Sequence, residues 1–303
     1  KKTSDLLLEA PIPSSSGLES VMRNIGSVRN QGFELTLNTH NVKTEDFNWM
    51  STVLFSLNRN KILQLGENNE DIFPAPRHAQ GDLLILRVGE PVGSLWGYQR
   101  LGTWSESEAE QAAVYGRLPG DVKYADLNND GMINSEDQTI IGCTSPDWTM
   151  TFSNTFYYKN FDFSFDLRFV FGNDVVNCAT HNAEDRSGVA NGWKSNLNAW
   201  TPSNQNTMIA QRRPMTTYYD SYPDSHWAQN GSFVRGQNFV LGYTFDKELL
   251  RKISLQDLRV YVSAQNLFCI TNYNGYDPEV STYEGNAFGQ GIDDFSEPKA
   301  RTF

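Results

Sequence analysis

The chain has 303 residues, 39% hydrophobic and 13% aromatic, with 25 Lys and Arg against 36 Asp and Glu for a formal net charge of -11. No run of about 18 apolar residues occurs, which excludes a transmembrane helix, and scattered cations under a net negative charge exclude nucleic acid as a partner. Cys143, Cys178 and Cys269 are too few and too dispersed for a disulfide framework or a metal cluster, although one bridge stays open.

In chain order, alternation of apolar and polar side chains predicts a first strand over residues 4–12, a loop over 14–26 and a second strand over 28–40. In that second strand Phe33, Leu35 and Leu37 oppose Glu34, Thr36 and Asn38. A polar turn at 42–46 leads to a third strand over 47–57, with Phe47, Trp49, Val53, Phe55 and Leu57 on one face. Residues 58–146, rich in Gly, Pro and acids, read as a long non-membrane segment with a hairpin around 83–104.

The stretch WTMTFSNTFYYKNFDFSFDLRFVF, residues 148–171, predicts the fourth and fifth strands. Trp148, Met150, Phe152, Phe156 and Tyr158 share a face of the first; Phe161, Phe163, Phe165, Leu167, Phe169 and Phe171 share a face of the second. Asp162, Ser164, Asp166 and Arg168 lie opposite. About ten alternating residues per strand, with aromatics near the ends, suit a tilted strand that crosses a bilayer with water on its inner side.

A second long loop over 173–231 is followed by a sixth strand over 233–245. Asp246 is placed to cap a short helix through Ile253, a seventh strand covers 257–271, and an eighth begins near Lys299. Short turns on one side and long loops on the other are the asymmetry of bacterial outer-membrane barrels. The expected fold is therefore all-β, an antiparallel transmembrane β-barrel segment with long external loops. The chain opens at Lys1 with neither an initiator Met nor a signal segment, and reads as part of a longer precursor.

DLNNDGMINSED, residues 126–137, is the sharpest chemical motif. Oxygen side chains fall at loop positions 1, 3 and 5 (Asp126, Asn128, Asp130), Gly131 sits at the bend, Met132 offers its carbonyl at position 7, and Asn134 and Asp137 occupy positions 9 and 12. That spacing is EF-hand-like and points to a structural calcium ion, Asp137 being a shorter arm than the usual Glu. The alternative is an Asx-rich turn that satisfies its own backbone.

In the second loop, Trp193, Trp200, Tyr218, Tyr219 and Trp227 offer faces that could stack on substrate or partner, or pack the loop into a cap; aromatics dominate small cores, which favours packing. Arg212 and Arg213 read as solvated or paired with nearby acids. His40, His78, His181 and His226 lie far apart in sequence without metal-ligand spacing and read as surface residues. No GxSxG, HExxH or GxxxxGK occurs, so no enzyme is expected.

FVRGQNFVLGYTFDKELLRKISLQDLRVYVSAQNLFCITNYNGYDPEV, residues 233–280, resembles the C-terminal signature of SusC/RagA-type TonB-dependent outer-membrane transporters of Bacteroidota. LRVGEPVGSLWGY at 86–98, GDVKYADLNNDGMINSEDQTIIG at 120–142 and residues 1–39 are similar to other parts of the same family. The resemblance implies that residues 1–303 are the C-terminal part, roughly the last eight strands, of a 22-stranded barrel with a plugged lumen. It implies a plug domain and a TonB-coupling segment outside this chain, a SusD-like surface lipoprotein as partner, outer-membrane lipid around the wall, and import of oligosaccharides or peptides. Phe303 is expected to lie inside the final strand. Two other classes stay open from the residues: a secreted calcium-stabilised glycan-binding β-protein, and a passive porin or adhesin barrel.

Overall fold

Seven strands form one antiparallel sheet in plain sequence order: β1 (Lys2–Pro11), β2 (Ser20–Lys43), β3 (Phe47–Leu65), β4 (Trp148–Tyr158), β5 (Phe161–Phe171), β6 (Phe233–Thr244) and β7 (Arg259–Thr271). The computed structural model describes residues 1–11, 20–185, 191–213, 222–279, 281–283, 286 and 288–303; of the predicted 14–26 loop, residues 14–19 lie outside these and 20–26 belong to β2.

Register carries the predicted alternation across strands. Phe156 faces Trp49 on one side and Phe163 on the other, and Phe165 faces Phe239. Because side chains two apart share a face, these pairs stack the aromatics in rows: Trp148 lies on Phe171 at 4.7 Å between centroids, Trp49 on Phe156 at 5.6 Å and Phe165 on Phe239 at 5.9 Å. Among the described residues nothing covers this face, and Phe33 and Val262 are 57% and 72% exposed. Asn154 interrupts it. Its Oδ1 accepts hydrogen bonds from Trp49 Nε1 at 2.9 Å and Ser51 Oγ at 2.6 Å, so the buried amide oxygen is satisfied within the wall.

The turns at one end are tight. β4 and β5 are joined through Lys159 and Asn160, with Lys159 in the left-handed region at φ 51°. The helix between β6 and β7 spans only Lys247–Arg251, and Asp246 gives it no side-chain cap; its Oδ1 accepts instead from Asn160 Nδ2 at 2.7 Å, tying two turns together. At the other end β2 and β3 run well past their predicted limits. Asn58, Arg59, Asn60 and Lys61 break the apolar alternation, yet the ladder continues through them to Ile62 and Leu65, whose side chains are buried under the loops. The predicted eighth strand is reduced to one bridge, Gln265 to Thr302.

The buried core lies in the loop body, not in the sheet. Leu83, Leu84, Leu95, Val176, Trp227 and Ile292, drawn from three separate connections, pack as one cluster. The predicted hairpin is present as Leu84–Ile85 paired with Ser94–Tyr98, and Gln138–Cys143 adds a third strand. Arg100–Thr103 pairs with Val122–Tyr124, and Asp174–Asn177 pairs with both Ala228–Asn230 and Ile292–Asp293. A sheet with a solvated polar side and a lipid-like apolar side needs no core of its own, so the polar connections supply one.

Candidate functional site

Residues 126–137 form one closed loop. Gly131, at φ 81°, makes the bend, and Ser135–Asp137 close it as a single 3-10 turn. Asp126 accepts from the backbone of Gly131 at 2.9 Å and Asp130 at 3.2 Å; Asp130 accepts from Met132 at 2.8 Å. Asp137, fully buried, accepts from Leu127 at 2.8 Å and Asn134 at 2.9 Å and so clasps both ends of the loop. Against its partial desolvation, the Gly131 N–H and the Tyr115 hydroxyl hold the Asp126 carboxyl below the usual range. Asn128 and Asn134 also accept backbone N–H groups, from Asp130 and Glu136.

The loop is thus shaped by its own Asx hydrogen bonds. Among the described residues no group of three or more His, Cys, Asp or Glu side chains converges to hold a metal. Asp126 Oδ2 already accepts from both Gly131 and Tyr115, whereas Asp126 Oδ1 and the oxygens of Asp130 and Asp137 each keep a further lone pair, the donor type a hard cation requires.

A second arrangement, invisible in sequence, locks the loops together. Arg100 is buried and reaches three partners: Asp185 through both terminal nitrogens at 3.0 and 2.6 Å, Asp224 through Nε at 2.7 Å, and the Met208 carbonyl at 2.9 Å. Burial would lower the guanidinium pKa, but the two carboxylates hold it well above its ordinary value. Asp224 is pushed up by burial, opposed by Arg100 and reinforced by the charge of Asp185. Trp227 Nε1 donates to Asp185 at 3.0 Å.

Trp227 and Trp200 are core residues, 0% and 4% exposed, so packing claims both; Trp193 is half-buried, and Tyr218 and Tyr219 lie outside the described residues. The surface reading of the histidines holds for His40 alone. His78 and His181 sit 5.2 and 5.4 Å from the Trp227 ring, and His226 Nε2 lies 2.7 Å from Glu184 Oε2. Burial lowers the His78 pKa despite nearby Asp294. Arg213 is paired with Asp121, and Arg212 donates to the Glu184 carbonyl at 3.1 Å.

On the polar face of the sheet the segment after β7 folds back onto the wall. Arg235 of β6 binds Asp277, Arg168 of β5 reaches Glu279 at 2.7 Å, and Lys299 reaches the same carboxylate at 2.8 Å. Arg235 in VRGQNF and Asp277 and Glu279 in GYDPEV, about 40 residues apart, are therefore the two halves of one clamp. Their opposite charges were a readable hint. A cavity of about 560 Å³ lies between the polar face of β2 and β3 and the loops, and none of its sixteen lining residues is charged. Asn30, Asn60, Gln64 and Gln290 supply amides there, with Ile62 and Phe288 as apolar neighbours.

No family model matches the chain. Relatives do. TonB-dependent receptor P3 of Formosa agariphila is 37% identical over 312 residues, which cover 100% of this chain and 30% of that protein. TonB-dependent receptor P26 of the same organism is 35% identical, covering 100% and 31%. TonB-dependent receptor SusC of Bacteroides thetaiotaomicron is 30% identical, covering 100% and 28%. The chain thus spans about 30% of the length of the relatives it matches. Among solved structures, the RagAB peptide transporter superposes with a TM-score of 0.79 at 24% identity over 99% of this chain and 31% of that one, a likeness of fold. These receptors are transport proteins, not enzymes, and the chain belongs to their family, the SusC/RagA-type TonB-dependent transporters.

Proposed function

We propose that this chain is the C-terminal wall and external loop body of an outer-membrane TonB-dependent importer. One observation carries the reading: an uncovered apolar sheet face, with tight turns at one end and an interlocked loop body at the other, in a chain related over its whole length to TonB-dependent receptors. The free edges of β1 and β7 need further strands, because unpaired backbone groups in lipid cost several kcal/mol each. The remainder of the transporter supplies those strands, the plug and the contact with TonB.

Cargo is an oligosaccharide or a peptide, captured with a SusD-like surface lipoprotein seated on the long loops. The uncharged cavity beside β2 and β3 suits an uncharged segment of such a cargo. Calcium bound by Asp126, Asn128, Asp130, the Met132 carbonyl, Asn134 and Asp137 would stiffen the loop next to that seat. Purification of the intact transporter from its native membrane should bring down a lipid-anchored protein, and uptake should stop when the proton-motive force is collapsed. A protein that purifies alone and passes small solutes without an energy source is a passive pore, and that result replaces this reading.

A further inference from the structure

The outward side of β1–β3 carries a row of cations directly above the apolar band. From Phe33 paired with Leu57 to Arg29 paired with Lys61 the ladder runs without a bulge, so Arg29, Lys61 and Arg59 stay on the face of Phe33 and Leu57. Lys2 pairs with Arg29 and extends the row onto β1. Adjacent strands lie about 4.8 Å apart, so Lys2, Arg29 and Lys61 span roughly 10 Å, with Arg59 roughly 7 Å below Lys61 along β3.

All four are exposed in a chain of net charge -11. Arg59 is paired with Asp147 in an open surface contact, whereas Lys2, Arg29 and Lys61 have no acidic partner among the described residues.

Depth identifies what they face. The outward residues of β3 from Phe47 to Leu57 are apolar apart from Ser51. That stretch is roughly 33 Å of strand, which at a barrel tilt of about 40° is roughly 25 Å of height, the thickness of the apolar band of such a wall. Arg59 and Lys61 are the next two outward residues, at headgroup level on the long-loop side. We propose that Lys2, Arg29, Arg59 and Lys61 form a binding site for the phosphate groups of a membrane lipid in the leaflet on that side, its acyl chains lying along Phe33, Leu35 and Phe55. Guanidinium and ammonium groups at this spacing match a headgroup bearing two phosphates.

The inference rests on the outer-membrane reading above. Its test is native mass spectrometry of the full-length transporter in neutral detergent, titrated with diphosphoryl lipid A, phosphatidylcholine or inorganic phosphate. The expected result is one retained lipid A, not displaced by excess inorganic phosphate, with no retained phosphatidylcholine. R29Q/K61Q should weaken retention by at least about tenfold and Q31K should strengthen it. Retention in R29Q/K61Q equal to wild type, equal retention of phosphatidylcholine, or displacement by inorganic phosphate overturns it. A nitroxide at F33C separates the two ideas: contact with water there sinks the membrane reading itself, while contact with lipid alongside unchanged retention sinks only the lipid site.

Discussion

Arg100 and Asp185, 85 residues apart in the chain, meet as a two-pronged ion pair, Nη1 to Oδ1 at 3.0 Å and Nη2 to Oδ2 at 2.6 Å, with both side chains wholly removed from solvent. The pair holds the first long loop to the second, and Asp224 closes the triad from the far end of the second loop. Replacing Arg100 with Met leaves two buried carboxylates facing each other, so loop stability should fall by about 3–5 kcal/mol. Combining R100M with D185N and D224N removes the uncompensated charge and should recover much of that loss. Tryptophan fluorescence during thermal unfolding, to which Trp227 contributes through its contact with Asp185, reads both outcomes.

Gly97 fixes how closely the loops approach. The Pro223 carbonyl occupies the space a Cβ at Gly97 would take, and accepts the Tyr98 N–H at 2.9 Å; Ser225 N returns a bond to the Tyr98 carbonyl at 3.0 Å. G97A should therefore push residues 222–227 off this strand at about 1–3 kcal/mol. Faster proteolysis of the second loop with the wall still folded is the expected result.

Much of the wall was legible in the sequence because a period-two pattern survives any tertiary context. Trp148–Tyr158 and Phe161–Phe171 match their predicted limits for that reason. The ends of β2 and β3 were not legible, since Asn58–Lys61 are held by ladder pairing with residues that carry no hydropathy signal. Arg100 was invisible for a different reason: its carboxylates lie 85 and 124 positions away, and no local pattern links them. The motif at 126–137 was legible as a loop, while its oxygens proved to be engaged with its own backbone.

Calcium is tested on that loop. D126A/D130A removes two oxygen ligands and also three backbone acceptor bonds, from Asp130, Gly131 and Met132. Calorimetry on the intact transporter should give one calcium site in the wild type and none in the variant, with barrel levels in the membrane unchanged. Failure of the wild type to take up calcium at millimolar concentration leaves the motif a turn.

Glu108 gives the loop body a pH dependence. Lys123 Nζ at 2.5 Å and the Ser105 N–H at 3.1 Å hold its carboxyl down to about 2 from an ordinary 4.5. A depressed folded value means that the stabilisation is present above about 4.5 and is lost as pH falls toward 2. The protection factor of the Ser105 amide, its exchange rate relative to the intrinsic rate at each pH, should fall through that window in the wild type. In E108Q it should be low at every pH.

The central claim is that the apolar face of this sheet lies in lipid and its polar face in an aqueous lumen. Nitroxides at F165C and S164C of the membrane-embedded transporter, probed with oxygen and with a water-soluble nickel chelate, test it most directly. The label at 165 should collide with oxygen and escape the chelate, and the label at 164 should be reached by the chelate. Water at 165 with lipid at 164, or water at both, contradicts the account.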